Sequence, residues 1–452
     1  MAKIDKADAN PTKAFFVRMI TRDISLEDCI LDLVDNSVDG AWKLEGGRPM
    51  SLTDGADLSK YRIDIDALPS RFCIRDNCGG ITLDDAAEYA FTFGRKDVDT
   101  PDNYSIGVYG IGMKRAVFKL GEHISIKSTY RSKDGATESF LVPINVPSWL
   151  ADQNRDWDFD IETASNLLDN GVEIAVASLH EGISASFSSP VFIQDLKRTI
   201  GRDYALHIRR GLSISVNGEI IRGWKIELLQ GGGMEPMRVA YLDGEDDELV
   251  NVEVLAGMAA PPPESSEPDE SLDGDNRFGW YVVCNGRIVL AADKGEISGW
   301  GTDGWPQWHP QYSGFLGIIL FSSKNAGLLP LTTTKRSVDA SSGVYRRARP
   351  RMREASKQWI SYTNIRKQAI DEARRQENLA RPKSIFDVTQ RETVSLPSIV
   401  AKPKEKMANI NYSMTLQRVR ALAEGLGNVN MSFRDVGIRS FEHTYTDLVG
   451  DE

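Results

Sequence analysis

Cysteine is scarce. Only Cys29, Cys73, Cys78 and Cys284 occur in 452 residues, and no two form a CxxC pair. This spacing argues against a disulfide framework and a cysteine zinc site, and it fits a reducing cytoplasm. The five histidines are dispersed, which argues against a histidine metal centre. No apolar run approaches the roughly 20 residues of a membrane span. The opening MAKIDKADANPTKAFF lacks the apolar stretch of a secretory signal. An overall positive charge is also missing: the net charge is −11, which argues against general nucleic-acid binding.

That average hides an asymmetry. Residues 341–452 hold 20 Lys and Arg against 13 Asp and Glu, and 344–383 alone holds 12 against 4. A basic element therefore sits on an acidic body. The chain is too long for one compact core, so two or three domains are expected.

Residues 23–45 read as a helix. YRIDIDALPSRFCIR (61–75) alternates like a strand hairpin. A glycine turn (76–80), a short helix (83–91), a glycine-rich stretch (105–112) and a helix (112–120) follow. Residues 122–130 and 171–179 read as strands. A second set opens with a helix at 190–209 and two strand–Asn-Gly–strand patterns, LSISVNGEII (212–221) and WYVVCNGRIVL (280–290). Between them the Pro-rich, acidic 257–277 reads as a disordered insert. Residues 344–379 read as a long basic helix with a candidate break at Pro350. Residues 381–412 read as a linker, 414–425 as a short helix, and the remainder as a polar tail. Helices and strands in this order predict an α+β sandwich.

Three segments carry chemistry. In LDLVDNSVDGA (31–41), Asp32 and Asn36 lie one helical turn apart. On a helical wheel Asp28, Asp32, Asp35, Asn36 and Asp39 oppose the stripe of Leu26, Ile30, Leu33, Val34, Ser37 and Ala41. By itself this is the pattern of a solvated face. In FCIRDNCGGIT (72–82), Asp76 ends a strand before Gly79 and Gly80. This is either a tight turn or a strand-end carboxylate for a ligand amine. In YSIGVYGIGMKRAVF (104–118), Gly107, Gly110 and Gly112 precede a helix bearing Lys114. Converging backbone N–H groups at a helix N-terminus suit phosphate. The spacing is neither a P-loop nor a dinucleotide fingerprint.

Together these segments resemble the GHKL ATPase superfamily (gyrase, heat-shock chaperone, histidine kinase, MutL). The MutL, MORC and heat-shock chaperone branches look closest. LLPLTTTKRSVD (328–339) resembles the segment that delivers a cation from a following transducer domain. The resemblance implies a Bergerat-type ATP-binding α/β sandwich (23–185) after an N-terminal arm (1–22). A transducer-like, ribosomal S5-like α/β domain (186–343) and a basic helical tail (344–452) would follow. It implies ATP and Mg²⁺ as ligands, with Asn36 on the metal and Asp76 on the adenine amine. Ile81 would pack on the base. Gly107, Gly110, Ile111, Gly112, Met113 and Lys114 would surround the phosphates, and Asp39 and Gly80 complete the nucleotide set. Residues 92–112 would form the lid. Asp32 would be the base for water, and Lys335 would reach the γ-phosphate.

The chain departs from that pattern at Asp32, where these branches usually carry Glu. The carboxylate retreats by about one C–C bond, roughly 1.5 Å. Slow hydrolysis, a closer helix, or a base at Asp35 or Asp28 are the alternatives. Cys78 and Val172 stand where glycine and threonine are common. The expected function is an ATP-gated clamp that homodimerises on ATP binding, with the arm crossing to the partner. Its 344–383 segment would contact DNA or a protein. The rivals are a regulatory ATPase of a defence or restriction system, and an ATP sensor with little turnover.

Overall fold

The computed structural model describes residues 11–46, 51–52, 55–92, 104–107, 110–152, 157–245, 248–264, 277–332, 334–399 and 408–450. Residues up to 401 form one compact unit and 402–452 another.

The first unit opens with α1 (Lys13–Arg22) and α2 (Leu26–Leu44). Ser25 caps α2, its Oγ accepting from the Asp28 N–H at 3.0 Å. An eight-stranded sheet follows from β1 (Arg62–Leu68), β2 (Arg71–Asp76), β3 (Gly121–Arg131), β4 (Thr137–Asn145), β5 (Glu162–Thr163), β6 (Gly171–Leu179), β7 (Ser213–Val216) and β8 (Glu219–Ile220). Its order is β5-β4-β3-β6-β2-β1-β7-β8, antiparallel except where β1 pairs with β7. The connections carry α3 (Leu83–Asp85), which runs into a π turn at Ala86–Ala90, and α4 (Gly112–Leu120). They also carry α5 (Val146–Ala151), α6 (Glu181–Phe187), α7 (Pro190–Asp203) and α8 (Ala205–Arg209). Helix α4 packs on α2, β3 and β6.

The second sheet uses β10 (Met237–Asp243), β11 (Val250–Met258), β12 (Gly279–Cys284), β13 (Arg287–Asp293) and β14 (Phe315–Ser322), ordered β10-β11-β14-β12-β13. Alternation gives it two buried faces. Tyr281, Val283 and Ile318 join the core of the first sheet, and α7 and α8 contact β13. Trp280, Val282 and Phe321 pack into a second core with Trp300 and Trp359. The latter lies on α9 (Gly343–Arg366), which is followed by α10 (Ile370–Glu377). Both Asn-Gly pairs form the expected tight turns: Asn217, Gly218, Asn285 and Gly286 all have positive φ.

Several expectations need correction. The 212–221 hairpin does not stand apart with the later strands but joins the first sheet, β7 pairing with β1. The helix expected at 190–209 breaks at Tyr204. Helix α9 runs through Pro350 without interruption. Gly257 and Met258 close β11, and 265–276 of the expected insert lie outside the described residues. The expected linker contributes β15 (Arg381–Ser384), paired with β9 (Glu227–Gln230). Bridges Arg238–Arg391 and Glu235–Ser395 continue that strap. In the N-terminal arm, α1 docks on α4 of its own chain, and the Lys119 ammonium donates to the Thr21 carbonyl at 2.9 Å.

The C-terminal unit contains α11 (Leu416–Gly425) and α12 (Phe433–Val449), in contact with each other. The expected polar tail is thus largely helical. Among the described residues no helix is long and apolar enough to cross a membrane.

Candidate functional site

The acidic side of α2 is not solvated. Asp32 is 3% exposed and Asp35 fully buried, while Asn36 stays exposed. Each acid has acquired partners from distant chain segments. Asp32 Oδ2 accepts from Arg115 Nε at 2.8 Å and Nη2 at 2.5 Å, and its Oδ1 accepts from Lys335 Nζ at 3.1 Å. Asp35 Oδ1 accepts from the Tyr204 hydroxyl at 2.6 Å; its Oδ2 accepts from Lys335 at 2.7 Å and from Arg287. Burial opposes the charge of Asp35, but Arg287 and Lys335 pull its carboxyl below the usual range. Asp28 and Glu27 pair with Arg336. Asp28 and Asp35 are therefore engaged by other side chains, and only Asp32 of the three candidate bases lines the cavity below.

Asp39 faces the glycine-rich segment. It accepts from the Ile106 N–H at 2.7 Å and the Gly107 N–H at 3.0 Å. Burial pushes its carboxyl up to about 7, against the two N–H groups that pull it down.

Asp76 ends β2 and meets α2. Its Oδ1 accepts from the Cys78 and Val172 N–H groups at 2.8 and 3.2 Å, and its Oδ2 from Ser37 Oγ at 2.6 Å. A carboxylate offers about four acceptor positions, so one remains on Oδ2. Burial raises its carboxyl above the ordinary value, opposed by Ser37 and the two N–H groups. Close backbone packing builds this corner. A Cβ on Gly171 would fall 2.0 Å from the Asp76 carbonyl oxygen, and one on Gly80 2.2 Å from that of Thr129. Ile81 is held beside it by reciprocal bonds with Ser128, at 2.7 and 2.8 Å.

A cavity of about 300 Å³ runs between these groups. Asp76, Ile81, Cys78 and Val172 line it together with Asp32, Asn36 and Asp39. Gly80, Gly107, Gly110, Ile111, Gly112, Met113, Lys114 and Lys335 complete the expected set. All the residues expected from the sequence thus border one space. Residues 93–103 and 108–109 of the expected lid lie outside the described residues. Lys114 donates to the Ala90 carbonyl at 2.8 Å, and burial pulls its ammonium down to about 8.

Lys335 comes from the loop joining β14 to α9. A bridge between Leu331 and Val338 pinches that loop, and Lys335 has a φ of 55°. Left-handed backbone at a residue other than glycine costs about 1 kcal/mol, and such strain gathers at functional sites. Burial works against its ammonium, yet Asp35 and Asp32 hold it above the usual value.

Among the described residues no cluster of three or more His, Cys, Asp or Glu side chains is arranged around a metal. Mg²⁺ carried by phosphates needs only one or two protein oxygens, and exposed Asn36 can supply one. Sequence reasoning missed Ser37, Arg115, Tyr204 and Arg287. Ser37 left a trace, as a polar residue inside an apolar stripe.

Residues 24–145 match the family model described as histidine kinase-, DNA gyrase B-, and HSP90-like ATPase. The match runs from the start of α2 to the end of β4, and stops short of β6 and Lys335. Residues 24–145 are thus similar to GHKL-type ATPase domains, within a mixed α+β fold that is followed by a helical C-terminal region. No curated protein matches it.

Proposed function

We propose that the cavity binds ATP with Mg²⁺ and that the chain hydrolyses it slowly, as a conformational switch. The observation that carries this reading is the convergence of two bodies on one space. Asp76 on β2 keeps one acceptor position open beside Ile81, while Lys335 from beyond the second sheet reaches Asp32 on α2. The open acceptor on Asp76 suits the adenine amine. Gly107 through Lys114 supply backbone N–H groups and the start of α4 to phosphate oxygens. Asn36 would hold Mg²⁺, which neutralises phosphate charge and polarises the γ-phosphoryl group when bound. Lys335 would move from the carboxylates to the γ-phosphate and so report its presence. Asp32 keeps one acceptor position on Oδ1 for a water.

ATP-dependent homodimerisation is the proposed output, with a DNA or protein partner. The basic segment supports DNA contact less than its composition suggests. Arg347 pairs with Asp243, Arg366 with Glu377 and Arg374 with Glu264, while the apolar side of α9 lies on the second sheet.

The direct test is nucleotide affinity by calorimetry. Asp76→Asn replaces an acceptor with an amide that must satisfy Ser37, Cys78 and Val172 as well as adenine. ATP affinity should fall at least about tenfold, the effect of one lost hydrogen bond to a charged group. Unchanged affinity would remove the adenine assignment.

A further inference from the structure

The buried acids of α2 face more cations than they need. Asp32 and Asp35 are two carboxylates, and three cations bond to them: Arg115, Lys335 and Arg287. The arrangement is not symmetric. Arg115 bonds Asp32 and not Asp35; Arg287 bonds Asp35 and not Asp32; Lys335 alone bonds both. Lys335 is therefore the shared cation, and each carboxylate has another of its own.

Burial makes that count decisive. Asp35 is 0% exposed and Arg287 1%. Leaving such a charge without its partner is strongly destabilising. A lysine that was the sole partner of Asp35 could not leave it for a phosphate without meeting that penalty. With Arg287 in place and the Tyr204 hydroxyl on the other oxygen, Asp35 stays compensated when Lys335 departs. Arg287 is itself secured: its guanidinium lies 5.7 Å from the Tyr204 ring centroid. It stands at the start of β13, directly after the Asn285–Gly286 turn, whose Asn285 Nδ2 donates to the Ser105 carbonyl at 2.8 Å. The residue that frees the lysine and the segment that meets phosphate thus share one turn.

We infer that Arg287 is a positioning residue for the nucleotide switch: it is the permanent counter-ion of Asp35, and its presence releases Lys335 to the γ-phosphate. Tyr204 supports it by occupying the second oxygen of Asp35. This inference rests on the ATP reading of the cavity and names a residue outside its lining.

The test is γ-phosphate discrimination, the affinity for a non-hydrolysable ATP analogue divided by that for ADP. It is measured on the full chain for wild type, Lys335→Met, Arg287→Met, Arg287→Lys and the double variant Arg287→Met/Asp35→Asn. Wild type should favour the triphosphate by about 10- to 100-fold, the worth of a charged hydrogen bond. Lys335→Met should abolish that preference. Arg287→Met should also abolish it, with ADP affinity kept, because Lys335 is now held by Asp35. Arg287→Lys should keep part of it. The double variant is decisive: removing the charge of Asp35 should restore discrimination. A merely structural role for Arg287 predicts the opposite, since a second core change adds damage. The double variant also exchanges a buried charged pair for a neutral one and should therefore fold even where Arg287→Met does not. Wild-type discrimination in Arg287→Met, or no recovery in the double variant, overturns the inference and leaves the ATP reading standing. Discrimination untouched by Lys335→Met, or no nucleotide binding by wild type, overturns the reading and the inference with it.

Discussion

Asp32→Glu tests whether the site is built around its short acid. If Asp32 is simply a methylene short of its task, Glu should raise turnover. The geometry argues the reverse. The Asp32 carboxylate already meets Arg115 at 2.5 and 2.8 Å and Lys335 at 3.1 Å. It also lies against the first residue of α4: a Cβ on Gly112 would stand 3.2 Å from Asp32 Cγ. An added methylene moves the carboxylate by about 1.5 Å, half the length of each of those bonds. Either it overshoots Arg115, the partner that stays when Lys335 leaves for the γ-phosphate, or its chain folds back toward Gly112, where space is tight. Misplacement by about 1 Å can cost about 10²-fold in rate. Single-turnover hydrolysis with saturating ATP should therefore be about 10²-fold slower in Asp32→Glu than in wild type. Asp32→Asn serves as the control. It removes the base, worth about 10²–10⁴-fold, and turns an amide N–H₂ or a weakened acceptor toward Arg115. Its ATP affinity should change little, because Asp76 and the glycine segment remain. Faster hydrolysis in Asp32→Glu would refute the claim that the pocket is fitted to aspartate. Equal hydrolysis in Asp32→Asn and wild type would remove Asp32 as the base.

Further predictions follow from single features. With its carboxyl at about 7 against an ordinary 3.8, Asp39 retains a proton in the folded chain that the unfolded chain has lost. Its contribution therefore diminishes stability as pH rises from about 4 to 7, by at most about 1.4 kcal/mol per pH unit. The melting temperature of wild type minus that of Asp39→Asn should fall between pH 5 and 8, and a flat difference would refute the assignment. Gly171→Ala should push β6 away from β2, costing about 1–3 kcal/mol in denaturant unfolding and weakening ATP binding through Val172 and Asp76. Wild-type stability there would contradict the 2.0 Å approach. Arg366 and Glu377 form a buried pair at 2.6 Å, with the Tyr362 hydroxyl on the same carboxylate. Arg366→Met should destabilise by about 3–5 kcal/mol, and pairing it with Glu377→Gln should recover much of that loss. Additive losses would show that the two side chains act separately.

What the sequence revealed depended on range. Helix α4 has the ends read from its glycines and apolar spacing, and both Asn-Gly turns lie where expected, because each signal is local. Strand β14, FLGIILFS, was missed because it is buried on both faces and does not alternate. Helix α12 was missed because charged and apolar residues are mixed along it. The candidate site divides in the same way. The acids and the glycines are visible as residue types at set spacings, and Lys335 only through the resemblance that LLPLTTTKRSVD carries. The state of the acids is not visible, since Asp32 meets Arg115 across 83 positions and Asp35 meets Tyr204 and Arg287 across 169 and 252. Amphipathic spacing places the acids opposite the apolar stripe, which by itself is the pattern of an open face. The second sheet and α4 cover it instead, so the same pattern encodes a buried charge network.

This burial bears on where a nucleotide signal leaves the molecule. Lys335 stands only eight positions before Gly343, the first residue of α9. The intervening loop is short and held: the Asp339 N–H donates to the Pro330 carbonyl at 3.1 Å, and Arg336 is fixed to Asp28 and Glu27 on α2. Such a loop has little slack to absorb a shift of Lys335 toward a phosphate. In the proposed switch that shift would pass to the loop's two anchors, the start of α2 and the first turn of α9. On α9 that turn is buried at Val344 and Tyr345, with the Tyr345 hydroxyl donating to the Ile297 carbonyl at 2.9 Å. The arginines of α9 that bond Asp243 and Thr302 then couple the helix to the rim of the second sheet. Part of the basic charge that composition alone assigns to a partner is thus spent on bonds within the chain, and in the proposed switch it would tie the loop to the body it moves.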